Sequence, residues 1–345
     1  MYFNVSRVQK YKINMNMPPT LSLFFLKRIT IYKLFSTFAP MKQTICFLIA
    51  LLVLASCGPS VEEKRRITRR QRAEMLRADS AALKVAVMPT LDCLPLIVAK
   101  HEGYFDKLGA DVRFRTFTAQ MDCDTALAGG SVQGAVTDLV RAERLIKKGT
   151  PLQYVTSTDA YWQVYANRMA RITTLKQLDD KMLAMTRYSA TDLLSDVVID
   201  SAKLDRDRFF KIQVNDVYVR LKMLIGHEID AALLTEPQAS QARLARHKLL
   251  LDSRDLSWRL GLIAFREKDL KDSTRQHQLE VFKKGYDMAC DSLTRYGIGH
   301  FRQWVLKYYK MTDKEIDSLS TSLKFSRMSP PVEADVERAR KFLKL

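Results

Sequence analysis

The order of apolar runs constrains this chain most. Short apolar runs alternate with segments of helical period over nearly two hundred residues. Residues 83–87 read as a buried strand, ended by Pro89, and 94–100 as a helix stopped by Gly103. Residues 111–117 alternate strictly, with Val112, Phe114 and Thr116 on one side and Arg113 and Arg115 on the other, as a strand with one wetter face does. A helix is expected from Asp122 to Leu127, closed by Gly129 and Gly130. A strand over 134–136, a helix over 139–147 and a strand over 152–156 follow. After a break the pattern resumes with a helical turn over 175–180, strands over 182–185, 211–214, 229–234, 248–251 and 260–265, and helices over 191–202, 217–225 and 238–246. Beyond Thr274 the periodicity is helical, over 278–295, 301–309, 313–319 and 332–342. Strands alternating with helices of this length predict parallel α/β units. Two such runs followed by a helical tail predict two α/β lobes.

The amino-terminal part reads as an address. From Met41, Lys42 precedes an apolar run over 45–53, followed by Leu54-Ala55-Ser56-Cys57. A short apolar run behind a positive charge, ending in small residues, has the form of a secretory signal and is too short to span a bilayer. Its last residues look like a lipobox, in which Cys57 is acylated and becomes the new amino terminus. Residues 41–56 are therefore expected to be a lipoprotein signal peptide, and 1–40 to come from an upstream, mis-assigned start. Residues 57–82 are expected to form a charged tether that can be helical in part, with Glu62-Glu63-Lys64-Arg65-Arg66, Arg69-Arg70 and Arg72.

The charge balance is +18, from 56 basic and 38 acidic residues. A single basic patch of that size would suggest nucleic acid. Here the excess is divided among the leader, the tether and a scattered remainder, so no nucleic-acid partner is expected.

The phrases Lys84-Val85-Ala86-Val87-Met88-Pro89, Pro95 to Phe105 with its Gly103-Tyr104-Phe105 turn, and Leu108-Gly109-Ala110-Asp111-Val112 resemble the opening of type II periplasmic solute-binding proteins of ABC importers. The branch they resemble includes binders of thiamine-precursor pyrimidines and of sulfonates. Ile229 to Leu234 followed by Thr235-Glu236-Pro237 resembles that family's strand and Glu-Pro segment at the cleft. The resemblance covers residues 83–345. It implies a two-lobed fold with a ligand cleft, lobe I from 83–160 and 257–345 and lobe II from 170–252. It also implies a monomer with no cofactor and no catalytic residues, anchored to the extracytoplasmic face of a bacterial membrane through lipid on Cys57. Such a protein closes on a small polar metabolite and delivers it to a permease with its ATPase. Two alternatives stay open: an enzyme of the same fold from thiamine-pyrimidine or menaquinone synthesis, and a surface binding lipoprotein without a permease.

Ligands of open α/β sheets bind at strand carboxyl ends and helix amino ends. Those positions hold Thr90, Asp92, Asp122, Asp124 and Asp138 in the first lobe, and Tyr161 and Trp162 at the crossing. In the second lobe they hold Arg187, Ser189, Thr191, Asn215 and Glu236. Asp122 and Asp124 read equally as helix-cap acids. Tyr161 and Trp162 could pack the hinge or stack on a planar ligand. Clustered carboxylates in one lobe ask for a donor or cation. Arg187 beside the hydroxyls of Ser189 and Thr191 suits an anion. A zwitterion or an amino-substituted heterocycle would satisfy both lobes. Other chemistries lack their signatures: no glycine-rich phosphate loop is present, and the five His are far apart. Cys93 and Cys123 follow neighbouring strands and read either as a disulfide or as two small buried hydrophobes.

Overall fold

The structure, a computed structural model, describes residues 61–319 and 323–345. The expected signal peptide, the upstream segment and Cys57 lie outside the described residues. The chain divides into two units, residues 1–76 and 77–345.

Helix α1 (Val61–Ala81) comes first, where a tether was expected. Its last carbonyls, which no helical N–H can reach, accept from Arg275 at 2.6 Å (Ser80), 3.0 Å (Ala81) and 2.7 Å (Ala82). Asp79 is held by Lys84, Arg113 and Arg115 at 2.9–3.3 Å.

In lobe I, β1 (Leu83–Val87) leads through a 3-10 turn to α2 (Leu94–His101) and the short α3 (Tyr104–Lys107). Strand β2 (Val112–Thr116), α4 (Gln120–Gly129), β3 (Gly134–Asp138), α5 (Leu139–Lys147) and β4 (Leu152–Ser157) follow. Lobe II runs from β5 (Gln163–Ala166) and β6 (Met182–Met185) through α6 (Ala190–Ala202), β7 (Phe210–Gln213) and α7 (Val217–Ile225). It is completed by β8 (Ala231–Leu234), α8 (Gln238–Leu244) and β9 (Lys248–Asp252). The chain then returns to lobe I as β10 (Gly261–Arg266). Helices α9 (Ser273–His300), α10 (Arg302–Tyr309), α11 (Asp313–Asp317) and α12 (Glu333–Phe342) form the tail.

The sheets have orders β2-β1-β3-β10-β4 and β7-β6-β8-β5-β9. Both are mixed, which corrects the expectation of purely parallel units: β10 is antiparallel to β3 and β4, and β5 to β8 and β9. The two crossings explain this. A strand that returns from the other lobe starts at the cleft end of its new sheet. It must run against neighbours that end there. Strand β5 is buried throughout and belongs to the second sheet, ahead of the residue 170 boundary read from the sequence. At the second crossing the Thr158 amide donates to Gly261 O at 2.9 Å. A Cβ on Gly261 would lie 2.1 Å from Thr158 Oγ1, so only glycine fits there.

The tail packs back on lobe I, α9 against α2 and α12 against α5. Among the described residues no helix is long and apolar enough to cross a membrane. Cys93 and Cys123 are both buried and free, as is Cys290.

Candidate functional site: the cleft between the lobes

The lobes meet along the ends of their central strands. Leu91 N–H donates to Glu236 O at 2.9 Å, Val217 N–H to Thr118 O at 3.1 Å, and Gln238 Nε2 to Pro89 O at 3.0 Å. At the rim the Arg144 guanidinium lies 4.1 Å over the Tyr188 ring. The cleft is closed. Inside it are two adjoining cavities of about 20 Å³ each, which share Thr90, Gln120, Trp162 and Thr235, and a third of the same size beside them against Asp92, Tyr161, Thr235 and Glu236. Of the adjoining pair, one extends to Thr191, Arg220 and Gln238, the other to Asp92 and Thr137. Their walls mix polar groups with Trp162, Val217, Leu233 and Leu234 in one and Met88, Val136 and Ala160 in the other, and each is about the size of one water in this closed cleft. Thr137 Oγ1 and Gln238 Oε1, both buried, have no hydrogen-bond partner.

Arg220 dominates the electrostatics. It lies on α7, whose cap Asp216 accepts from Tyr218 N at 2.8 Å and Val219 N at 2.9 Å. Its side chain is 3 % exposed. It donates to Val214 O at 3.0 and 2.6 Å, to Leu233 O at 2.8 Å and to Thr186 Oγ1. Every one of these acceptors is neutral. A guanidinium has five N–H groups, and these four bonds do not use them all. Burial pushes its pKa down to about 10, against the attraction of Asp216. A buried cation held only by neutral oxygens is costly until an anion answers it.

The sequence-derived candidates separate into three groups. Thr90, Asp92, Trp162 and Thr191 line the cavities. Asp92 accepts from Thr158 Oγ1 at 3.3 Å, and burial raises its pKa. A second group is consumed by the protein itself. Asp124 is ion-paired with the buried Arg141. Asp138 caps α5 through one oxygen, accepting from Arg141 N at 3.0 Å, while its buried Oδ2 has no hydrogen-bond partner. Ser189 caps α6, accepting from Thr191 N at 3.1 Å. Glu236 is buried, taking Tyr161 OH at 3.0 Å and Ser240 N at 3.0 Å. Tyr161 is held by that bond, with Arg254 stacked 4.1 Å from its ring centre, and it also lines two cavities beside the hinge. The third group stands outside the cavities: Asp122 and Arg187 are exposed, and Asn215 donates to Met121 Sδ at the rim at 3.0 Å. Arg220, and not Arg187, is the arginine of the cleft. The signal was present: Arg220 stands on the apolar stripe Val217, Leu221, Leu224, where a charge has no business unless it is used.

Asp138 carries a testable consequence. Full burial pushes its pKa up to about 7, although Arg141 and the Arg141 and Ala190 amides favour the carboxylate. Between the ordinary carboxylate range near pH 4 and about pH 7 the folded protein therefore holds a proton that the unfolded chain releases. Stability should fall as pH rises through this window, by at most about 1.4 kcal/mol per pH unit. Asp138→Asn keeps the cap and should flatten the slope. Urea unfolding of both proteins at about pH 4.5 and pH 7.5 measures it, and identical slopes would refute the assignment.

A family model described as the NMT1-like family matches residues 77–239. No curated protein matches the chain. Among solved structures it is similar to the alkanesulfonate-binding protein SsuA from Xanthomonas axonopodis pv. citri bound to MOPS, with TM-score 0.66 at 15% identity over 76% of this chain and 91% of that one. It is similar to the zinc-bound ligand-binding component of an ABC-type import system from Staphylococcus aureus, with TM-score 0.65, 15% identity, and 76% and 91% coverage. The nitrate-binding protein NrtA from Synechocystis PCC 6803 aligns with TM-score 0.61 at 15% identity, covering 76% and 80%. Two mixed sheets joined by two crossings, with the cleft between them, give this chain the α/β fold of the periplasmic binding proteins.

Proposed function

We propose that this chain is a lipid-anchored, extracytoplasmic substrate-binding protein. It captures a small polar metabolite by lobe closure and delivers it to an ABC import permease. The observation that carries the reading is Arg220, a buried guanidinium hydrogen-bonded to neutral partners only, at the wall of a closed cleft. It calls for a ligand with a compact anionic group. Asp92, at the other end of the same space, accepts from a donor or cation on that ligand. The ligand class is thus an anion that also carries an amino or similar donor group. The structural neighbours named for alkanesulfonate and nitrate binding support the anionic end. Because the bonds across the cleft form only on closure, the ligand stabilises the closed state by touching both lobes.

Calorimetry with unlipidated protein tests the ligand class. Amino-sulfonates, amino acids and aminopyrimidine carboxylates should bind without turnover, and simple amines should not. Tight binding of a purely cationic ligand would overturn it. The anchor is tested by Cys57→Ala, which should move the protein from the membrane fraction to the soluble one. Mass spectrometry of wild-type material should show an acylated Cys57 peptide, and a retained 1–40 segment would defeat this part.

A further inference from the structure

Helix α1 is 21 residues long and strongly polar. Arg65, Arg66, Arg69, Arg70, Arg72 and Arg77 are all exposed on it. At 3.6 residues per turn these six fall within an arc of about 160° of its circumference. Leu76, 64 % exposed, lies inside the same arc. Of the acids on the helix, Glu63, Glu74 and Asp79 fall outside it and Glu62 inside, so six arginines share the arc with one acid; Asp79 is already engaged by Lys84, Arg113 and Arg115. The spacing is unusual in another way. Arg65 and Arg69, Arg66 and Arg70, and Arg69 and Arg72 stand one turn apart. Like charges at that spacing destabilise an isolated helix. A merely solvated face gains nothing from such crowding, whereas a face against an anionic surface gains from every arginine.

We propose that the arginine face of α1 docks on an anionic phospholipid surface. Charge complementarity argues for that occupant. So does sequence position, because only Gly58, Pro59 and Ser60 separate α1 from Cys57, the residue read as acylated. This second argument rests on the anchor reading, but the docking itself needs no lipid on the protein. An acyl chain alone binds membranes marginally, and a basic face is the kind of second signal that makes anchoring stable.

The test uses the protein carrying Cys57→Ala, so that failure of acylation cannot imitate failure of the face. Co-sedimentation compares vesicles of neutral phosphatidylcholine with vesicles containing about a third phosphatidylglycerol. Partition should be confined to the anionic vesicles and should fade by about 0.5 M salt, where screening shortens to a few ångströms. Arg65→Glu, Arg69→Glu and Arg72→Glu combined should lower the partition coefficient at least tenfold, given about fivefold per arginine at the surface. Circular dichroism reports whether the helix is kept, and Arg65→Gln with Arg69→Gln, which only removes charge, should give a smaller loss. The control places the same charge change on Arg171, Arg208 and Arg246, which are exposed in lobe II. Equal loss in the control would reduce the effect to net charge and overturn the proposal. Equal binding to neutral vesicles would overturn it too. So would preference for a nucleic-acid duplex over anionic vesicles at the same salt.

Discussion

Arg220→Met should reduce affinity for the cleft ligand by about a hundredfold, the usual scale for removing one partner of a desolvated charged contact. The unliganded protein should change far less in stability. Loss of the guanidinium leaves Val214 O, Leu233 O and the Thr186 hydroxyl short of a donor, and it also removes a buried charge that no carboxylate pairs at contact distance, Asp216 attracting it only from farther off. These effects oppose each other. Arg220→Lys should recover part of the affinity, because it keeps the charge and loses the fork. Titration calorimetry and urea unfolding on the same preparations separate the two roles. If affinity is unchanged while stability collapses, Arg220 is a structural strut and the anionic ligand class fails with it.

The largest stability effect is expected at Phe105. It is fully buried, its ring stacked 5.9 Å from Phe282 and set edge-on to Phe114 at 6.3 Å. Phe282 in turn meets Phe265 of β10 at 5.3 Å. One side chain thus ties the α2–α3 turn to both the tail and the sheet. Phe105→Ala should cost about 3–5 kcal/mol, through lost transfer energy and the cavity left behind. The ring fits only because residue 285 on α9 is glycine: a Cβ there would stand 2.5 Å from Phe105 Cδ1. Gly285→Ala alone should therefore cost about 1–3 kcal/mol by overpacking. In the Phe105→Ala background its penalty should vanish, since the colliding ring is gone. Additive penalties in urea unfolding would show that the two residues are not coupled in this way.

Much of the fold was legible because burial on one face leaves a period in the sequence. Helix α7 runs over 217–225, β6 over 182–185 and β1 over 83–87, as their periods predict. Strand β5 was not legible. Gln163-Val164-Tyr165-Ala166 is not the continuous apolar run that Met182–Met185 is, and its neighbours Tyr161 and Trp162 drew attention to ligand stacking. The direction of β5 and β10 was not legible either, because strand direction is set by which end of the sheet the chain enters from the other lobe. The helix over 61–81 was obscured for a different reason. Its face turns to charge instead of to a core, so no apolar stripe marks it.

The candidate site shows the same division. Sequence placed Thr90, Asp92, Trp162 and Thr191 at strand and helix ends, and those side chains line the cavities. It could not tell a free carboxylate from an answered one. Asp124 meets Arg141 from seventeen residues away, and Glu236 meets Tyr161 across seventy-five. The sequence by itself determined most of the alternating strands and helices and the chain positions at their ends, since these follow from local period and connectivity. Only the tertiary structure decided which polar groups remain unpaired there, because a side chain's partners come from distant segments and local sequence carries no record of them.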